Sequence, residues 1–192
     1  LHHVSPMRLK RIARVPFIKV ALVLLSLGLF DASAATTESA DWSVYLGGKT
    51  RSLYAPLQQI NRGNVSELEV AWTFETGDKG EYQANNLIVD GVLYTPSPSR
   101  KIIALNAATG KEIWTWDPAS ERSGKGRQRQ RGLVFWQNED GGERRLLTGV
   151  GGFLFALNPE NGQGIRSFGE NGSINLGSGL NPPGIVYQDS LI

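Results

Sequence analysis

The sequence contains no cysteine, one methionine (Met7) and two histidines, His2 and His3. Without cysteine there can be no disulfide, no Cys-x-x-Cys-His haem attachment and no lipid anchor on cysteine in this chain. Stability must then come from packing, which a large β architecture supplies without cross-links. Both histidines precede Met7, so the rest of the chain has no imidazole for a metal cluster or a Ser-His-Asp triad. Long apolar runs are also scarce: the main one, Val20 to Phe30, is shorter than the roughly 20 residues a membrane-spanning helix needs. After that run no sustained helical periodicity occurs, and the remaining signal is strand alternation broken by turns.

What the chain does contain is a repeat. Ala104-Leu105-Asn106-Ala107-Ala108-Thr109-Gly110-Lys111-Glu112-Ile113-Trp114 recurs 52 residues later as Ala156-Leu157-Asn158-Pro159-Glu160-Asn161-Gly162-Gln163-Gly164-Ile165-Arg166. In each copy a short apolar run ends at Asn, a tight turn follows with Gly where a positive φ is needed, and another strand begins. Self-similarity at this period marks propeller blades or solenoids, whose units bury their faces against their neighbours.

From Met7 the chain reads as a secretory signal: Arg8, Lys10, Arg11, Arg14 and Lys19 form a basic n-region, Val20 to Phe30 the apolar core and Ala32-Ser33-Ala34 a small-residue cleavage site. Residues 1–34 are read as upstream residues plus signal, and 35–192 as the N-terminal part of a propeller domain. Removing 1–34 leaves 15 basic against 17 acidic residues, so the basic balance of the whole chain belongs to the signal. The stretch Arg122, Lys125, Arg127, Arg129, Arg131 is then a solvated loop better than a nucleic-acid site. Gly47-Gly48 and Gly149-Val150-Gly151-Gly152 lack the strand-loop-helix context of phosphate cradles and are read as turn glycines.

Leu68 to Thr76 alternates as a half-buried strand with no hairpin partner before it, suited to completing a final blade and closing a ring. Blade one is predicted at Leu87–Val89, Val92–Thr95, Ile102–Asn106 and Lys111–Asp117. Blade two is predicted at Gly132–Trp136, Arg145–Thr148, Phe153–Asn158 and Ile165–Phe168. Gly184 to Ile192 reads as the start of a third blade, and since closure takes about four to eight blades, the expectation is a fragment of an all-β propeller that associates through its open edge.

These residues resemble the pyrroloquinoline quinone (PQQ)-dependent dehydrogenases, which are eight-bladed propellers of the bacterial periplasm. The resemblance runs from Asp41-Trp42 through Pro56-Leu57-Gln58-Gln59-Ile60-Asn61, Val70-Ala71-Trp72 with Thr76-Gly77-Asp78, and Val89-Asp90-Gly91-Val92-Leu93-Tyr94. It continues through the Ala-Leu-Asn repeat, Arg131-Gly132-Leu133-Val134-Phe135-Trp136 and Ser167-Phe168-Gly169-Glu170-Asn171-Gly172. The glucose-dehydrogenase-like branch fits better than the methanol dehydrogenases, whose adjacent-cysteine disulfide cannot form here. Asn106 and Asn158 stand where the family often has Asp, and Arg166 replaces the repeat's Trp.

The resemblance implies PQQ and Ca²⁺ as cofactors. It implies oxidation of an alcohol or aldose, with electrons passing to ubiquinone or cytochrome c, and a periplasmic location without nucleic-acid partners. It places three residues at the cofactor. Arg131 matches the family's cofactor arginine, whose fork suits carboxylates. Gln83 matches a Glu/Gln position reaching the cofactor, although Ala84-Asn85-Asn86 departs from the usual sequence. Ser99 falls where membrane-bound glucose dehydrogenases carry a histidine near the quinone, a departure that puts aldose specificity in question. The calcium ligands and the catalytic Asp are expected beyond Ile192. The alternative is a non-enzymatic propeller of the same blade type, serving as an envelope scaffold for other proteins.

Overall fold

The computed structural model describes residues 41–48, 50–121, 130–180, 182–188 and 190–192. The signal reading and most of the basic loop lie outside the described residues. Two four-stranded antiparallel sheets follow one another along the chain. The first holds β1 (Leu87–Val89), β2 (Val92–Pro96), β3 (Ile102–Asn106) and β4 (Glu112–Trp116), paired in sequence order. The second holds β5 (Val134–Gln137), β6 (Arg144–Val150), β7 (Phe153–Leu157) and β8 (Ser173–Asn175), again in order. A short hairpin, β9 (Val186–Tyr187) with β10 (Ser190–Leu191), begins a third unit. The described residues contain no α-helix, only short 3₁₀ turns such as Val65–Glu67.

Local chemistry explains the hairpins. Asp90 and Gly91 both take positive φ (49° and 73°) between β1 and β2, as do Gly151 and Gly152 (58° and 85°) between β6 and β7. A two-residue turn of that kind matches the twist of the strands it joins. In the repeated turn, Asn106 Oδ1 accepts from the backbone N–H of Ala108 (3.1 Å) and Thr109 (2.9 Å), and Asn158 Oδ1 accepts from that of Glu160 (2.8 Å). A carboxamide oxygen serves that Asx turn as well as a carboxylate would, so Asn in place of Asp costs the turn nothing.

Blade two departs from the predicted strands at its outer edge. Ile165–Phe168 is not the fourth strand: the chain touches β7 once, at the Leu157–Gly164 bridge, then turns, with Phe168 N–H donating to Ile165 O (2.9 Å). Pairing resumes only at Ser173, opposite Phe155. Gly169 sits at φ 60°, and a Cβ there would lie 2.3 Å from Ser173 O, so the tight return requires glycine. Leu68 to Thr76 is likewise not a paired strand, although Trp72, Phe74 and Thr76 are half-buried in the predicted alternation while Val70 is 79 % exposed.

The blades meet face to face. Leu87, Tyr94, Ile102, Trp114 and Trp116 of blade one pack with Leu133, Leu146, Phe155 and Leu157 of blade two. The indole of Trp114 lies on Gly162, where a Cβ would come within 2.5 Å of the ring, and its Nε1 donates to Pro159 O (2.9 Å). Tyr94 OH donates to the same carbonyl (3.2 Å), and burial pushes its phenol up to about 12. Trp72 repeats the contact one unit earlier: its ring lies 2.5 Å from the Cβ position of Gly110, and Nε1 donates to Ala107 O (3.1 Å). Burial of the Trp114 indole contributes about 2 kcal/mol or more by area. Blade two presents its other face, Val134, Leu147, Leu154 and Ala156, to Val186 and Leu191 of the third unit.

Candidate functional site

Antiparallel connectivity sorts the loops onto two ends of the blades. The β1–β2 and β3–β4 turns share one end, where Ala107 N–H donates to Gly91 O (2.9 Å). The opposite end gathers the approach to β1, the β2–β3 loop and the approach to β5. Gln83, Ser99 and Arg131 lie on those three segments, so all three residues predicted for the site share one end of the fold.

Two of the three segments are joined through the backbone. Asn85 N–H donates to Arg131 O (3.0 Å), and Asn85 and Gly132 form a parallel bridge, which sets the entrances to β1 and β5 side by side. Gly132, at φ 157°, allows this approach: a Cβ there would meet the Tyr45 ring at 3.2 Å and Asn85 O at 3.3 Å. Tyr45 arrives on an N-terminal strap that pairs with the free edge of β1, Trp42 N–H donating to Ile88 O (2.8 Å) and Ile88 N–H to Trp42 O (3.1 Å). The strap and β5 line a small cavity of about 160 Å³ with Tyr45, Arg51, Leu133 and Phe135 on its walls.

The side chains at this end are rich in donors. Arg131 is exposed. Gln83 is also exposed, its amide donating to Glu81 (3.3 Å). Beside Arg131, Gln130 donates through Nε2 to the hydroxyl of Thr148, itself 2 % exposed, while Gln130 Oε1 is buried with no hydrogen-bond partner. Only a donor could satisfy that buried oxygen. Neither Thr148 nor Gln130 was foreseen from the sequence; a threonine inside the apolar run Leu146-Leu147-Thr148 was the available signal. PQQ carries several carboxylates and an ortho-quinone, all acceptors, which the Arg131 guanidinium and the Gln83 amide can match with donors, whereas the unpartnered Gln130 Oε1 is itself an acceptor and matches none of them.

Ser99 stands apart from this pair. It lies in the β2–β3 loop, where its hydroxyl and N–H both bind Asp78 (2.5 and 3.3 Å). Asp78 also accepts from the hydroxyl of Ser97 and from Lys101 Nζ (3.2 Å). Burial alone would raise the Asp78 pKa, but the hydrogen bonds from Ser97, Ser99 and Lys101 outweigh it and lower the pKa to about 2. No described group of three or more His, Cys, Asp or Glu side chains could hold a metal ion, and no described helix is long and apolar enough to cross a membrane.

Residues 42–190 match the family profile described as PQQ: glucose/ethanol/alcohol dehydrogenase, beta-propeller domain. The chain is 31 % identical over 152 residues to a quinohemoprotein alcohol dehydrogenase of Pseudomonas putida, covering 76 % of this chain and 21 % of that one. It is also 31 % identical over 192 residues to quinoprotein glucose dehydrogenase A of Acinetobacter calcoaceticus, covering 80 % and 24 %. Among solved structures, the quinohemoprotein alcohol dehydrogenase from Comamonas testosteroni superposes with a TM-score of 0.60 at 26 % identity, covering 71 % of this chain and 19 % of that one. The chain thus spans about a fifth to a quarter of the length of these relatives. The docked blades and these likenesses agree: the chain belongs to the PQQ β-propeller family of glucose, ethanol and alcohol dehydrogenases.

Proposed function

We propose that this protein serves a periplasmic PQQ- and calcium-dependent oxidoreductase that oxidises an alcohol or an aldose and passes electrons to a respiratory quinone or cytochrome. The observation that supports the reading is the backbone junction of Asn85 with Arg131 and Gly132, which sets the entrances to two blades side by side, with the exposed Arg131 on one and Gln83 two residues before Asn85 on the other. Arg131 binds a cofactor carboxylate through its fork, and Gln83 holds the cofactor's polar edge with its amide. Bound PQQ supplies a two-electron acceptor for the carbon bearing the substrate's hydroxyl. Around it the chain's own part is to orient carboxylates, exclude water with Tyr45 and Leu133, and keep the two blades in register. Calcium ligands and a catalytic base are assigned to no residue of this chain.

PQQ binding to the full-length gene product, measured by fluorescence quenching with calcium present, tests this. Saturable binding is expected, and Arg131→Ala should weaken it by about ten- to a hundredfold, as for a charge-assisted hydrogen bond. Absence of saturable binding by the wild type would overturn the reading.

A further inference from the structure

The outer edge of blade two is open where that of blade one is closed. Because the chain leaves β7 at Ile165 and pairs with it again only at Ser173, the excursion between them bounds a cleft of about 690 Å³ beside Thr115 and Trp116 of β4. Phe155 and Ser173 line it as buried residues, and Asn161, Gln163, Arg166 and Asn171 line it as exposed ones. β4 and β8 are the edge strands opposite β1 and β5, so this cleft lies across the sheets from the segments of Gln83 and Arg131.

Two unmet donors belong to this cleft. The Trp72 and Trp114 indoles are satisfied, by Ala107 O and Pro159 O. Trp116 is 6 % exposed and packs on Phe155 with ring centroids 5.3 Å apart, yet its Nε1 is buried with no acceptor among the described residues. An indole N–H can only donate, so an acceptor must complete it. Arg166 stands in the second copy of the repeat where the first has Trp114, and its guanidinium has no hydrogen bond or ion pair among the described residues. Asn161 Oδ1 accepts from Gln163 N–H (3.0 Å), which leaves the Asn161 NH₂ as a further donor. Glu121, likewise unpaired among the described residues, is the one carboxylate lining the cleft.

A guanidinium fork suits a carboxylate, whereas side-chain amides and Glu121 between them donate and accept as hydroxyls require. We propose that the cleft is a binding site for a polyhydroxy carboxylate, a sugar acid, whose acid group pairs with Arg166. The Trp116 N–H donates to one of its oxygens, and Glu121 with the amides takes its hydroxyls. The volume is in the usual range for small-molecule pockets, about 300–1,000 Å³. The inference does not rest on the dehydrogenase reading.

Calorimetric titration of the full-length gene product with ribonate, pentanoate and ribitol tests it. Ribonate should bind saturably. Pentanoate keeps the carboxylate and ribitol the hydroxyls, and each should bind at least about tenfold more weakly. Arg166→Gln should weaken ribonate about tenfold or more, and Trp116→Phe, which keeps a ring and removes the N–H, about three- to tenfold. Added PQQ should not displace ribonate, whether or not the protein binds PQQ. No saturable binding of ribonate, the indole then being served by water, would sink the assignment. So would pentanoate or ribitol binding as tightly, displacement by PQQ, or an unchanged affinity in Arg166→Gln. Should Trp116→Phe not fold, as thermal unfolding would show, the exposed Arg166 decides alone.

Discussion

Gly162 carries a contact that a single methyl group would break. Its φ of 72° disfavours any side chain, and the Trp114 ring occupies the place a Cβ would need. Gly141 has nearly the same φ, 68°, but nothing within 4 Å. Gly141→Ala should therefore cost only the backbone penalty, about 1 kcal/mol, whereas Gly162→Ala adds overpacking and should cost about 2–4 kcal/mol. Denaturant midpoints of the two variants check this. Equal losses would mean that the indole gives way freely and that docking contributes little.

Elements show where sequence pattern was sufficient and where it was not. The eight strand positions of the first two blades were legible except the last, because alternation and Gly-bearing turns report hairpins directly. Ile165–Phe168 misled because Ile165 and Phe168 are apolar and do pack on Val134 and Leu154, but as an excursion and not as a strand. Ile165 N–H still donates to Ala156 O (2.8 Å), but the backbone leaves the ladder there and Phe168 reaches the core from a turn. The candidate site divides in the same way: Arg131 and Gln83 were proposed through family likeness, whereas Asp78 was quoted only as part of Thr76-Gly77-Asp78. Its four donors come from a loop about twenty residues away, and no local pattern encodes that. Leu68 to Thr76 is the intermediate case, its alternation real and its partner strand absent from the pairing. Held to blade one by Trp72, this segment should be released by Trp72→Ala, with limited proteolysis cutting near residues 68–76 sooner while β1–β4 keep their protection. Unchanged cleavage would show that Phe74 and Thr76 hold it without the indole.

On the scale of the molecule, the unpaired backbone of 68–76, with Val70 almost fully outside, is a strand edge seeking a partner. Leu53, Tyr54, Leu57 and Ile60 are also exposed just before it. The 192-residue chain produced by itself should associate, its elution volume on size exclusion falling as concentration rises. A monomer at all concentrations would mean the edge is covered from within. The same stretch explains why the chain stands as blades joined in series: each outer-strand position reaches forward to the next turn, Trp72 to Gly110 and Trp114 to Gly162.

The N-terminal strap holds blade one from both sides, Trp42 on the inner edge of β1 and Trp72 on the outer β3–β4 turn. Both clasps precede the sheet they grip, so by the time Trp116 has emerged from any channel that delivers the chain N-terminus first, blade one already has every contact it needs on its early side. Blade two then meets a finished surface instead of a search. The order of the letters is thus also an order of assembly, in which each unit is a template for its successor.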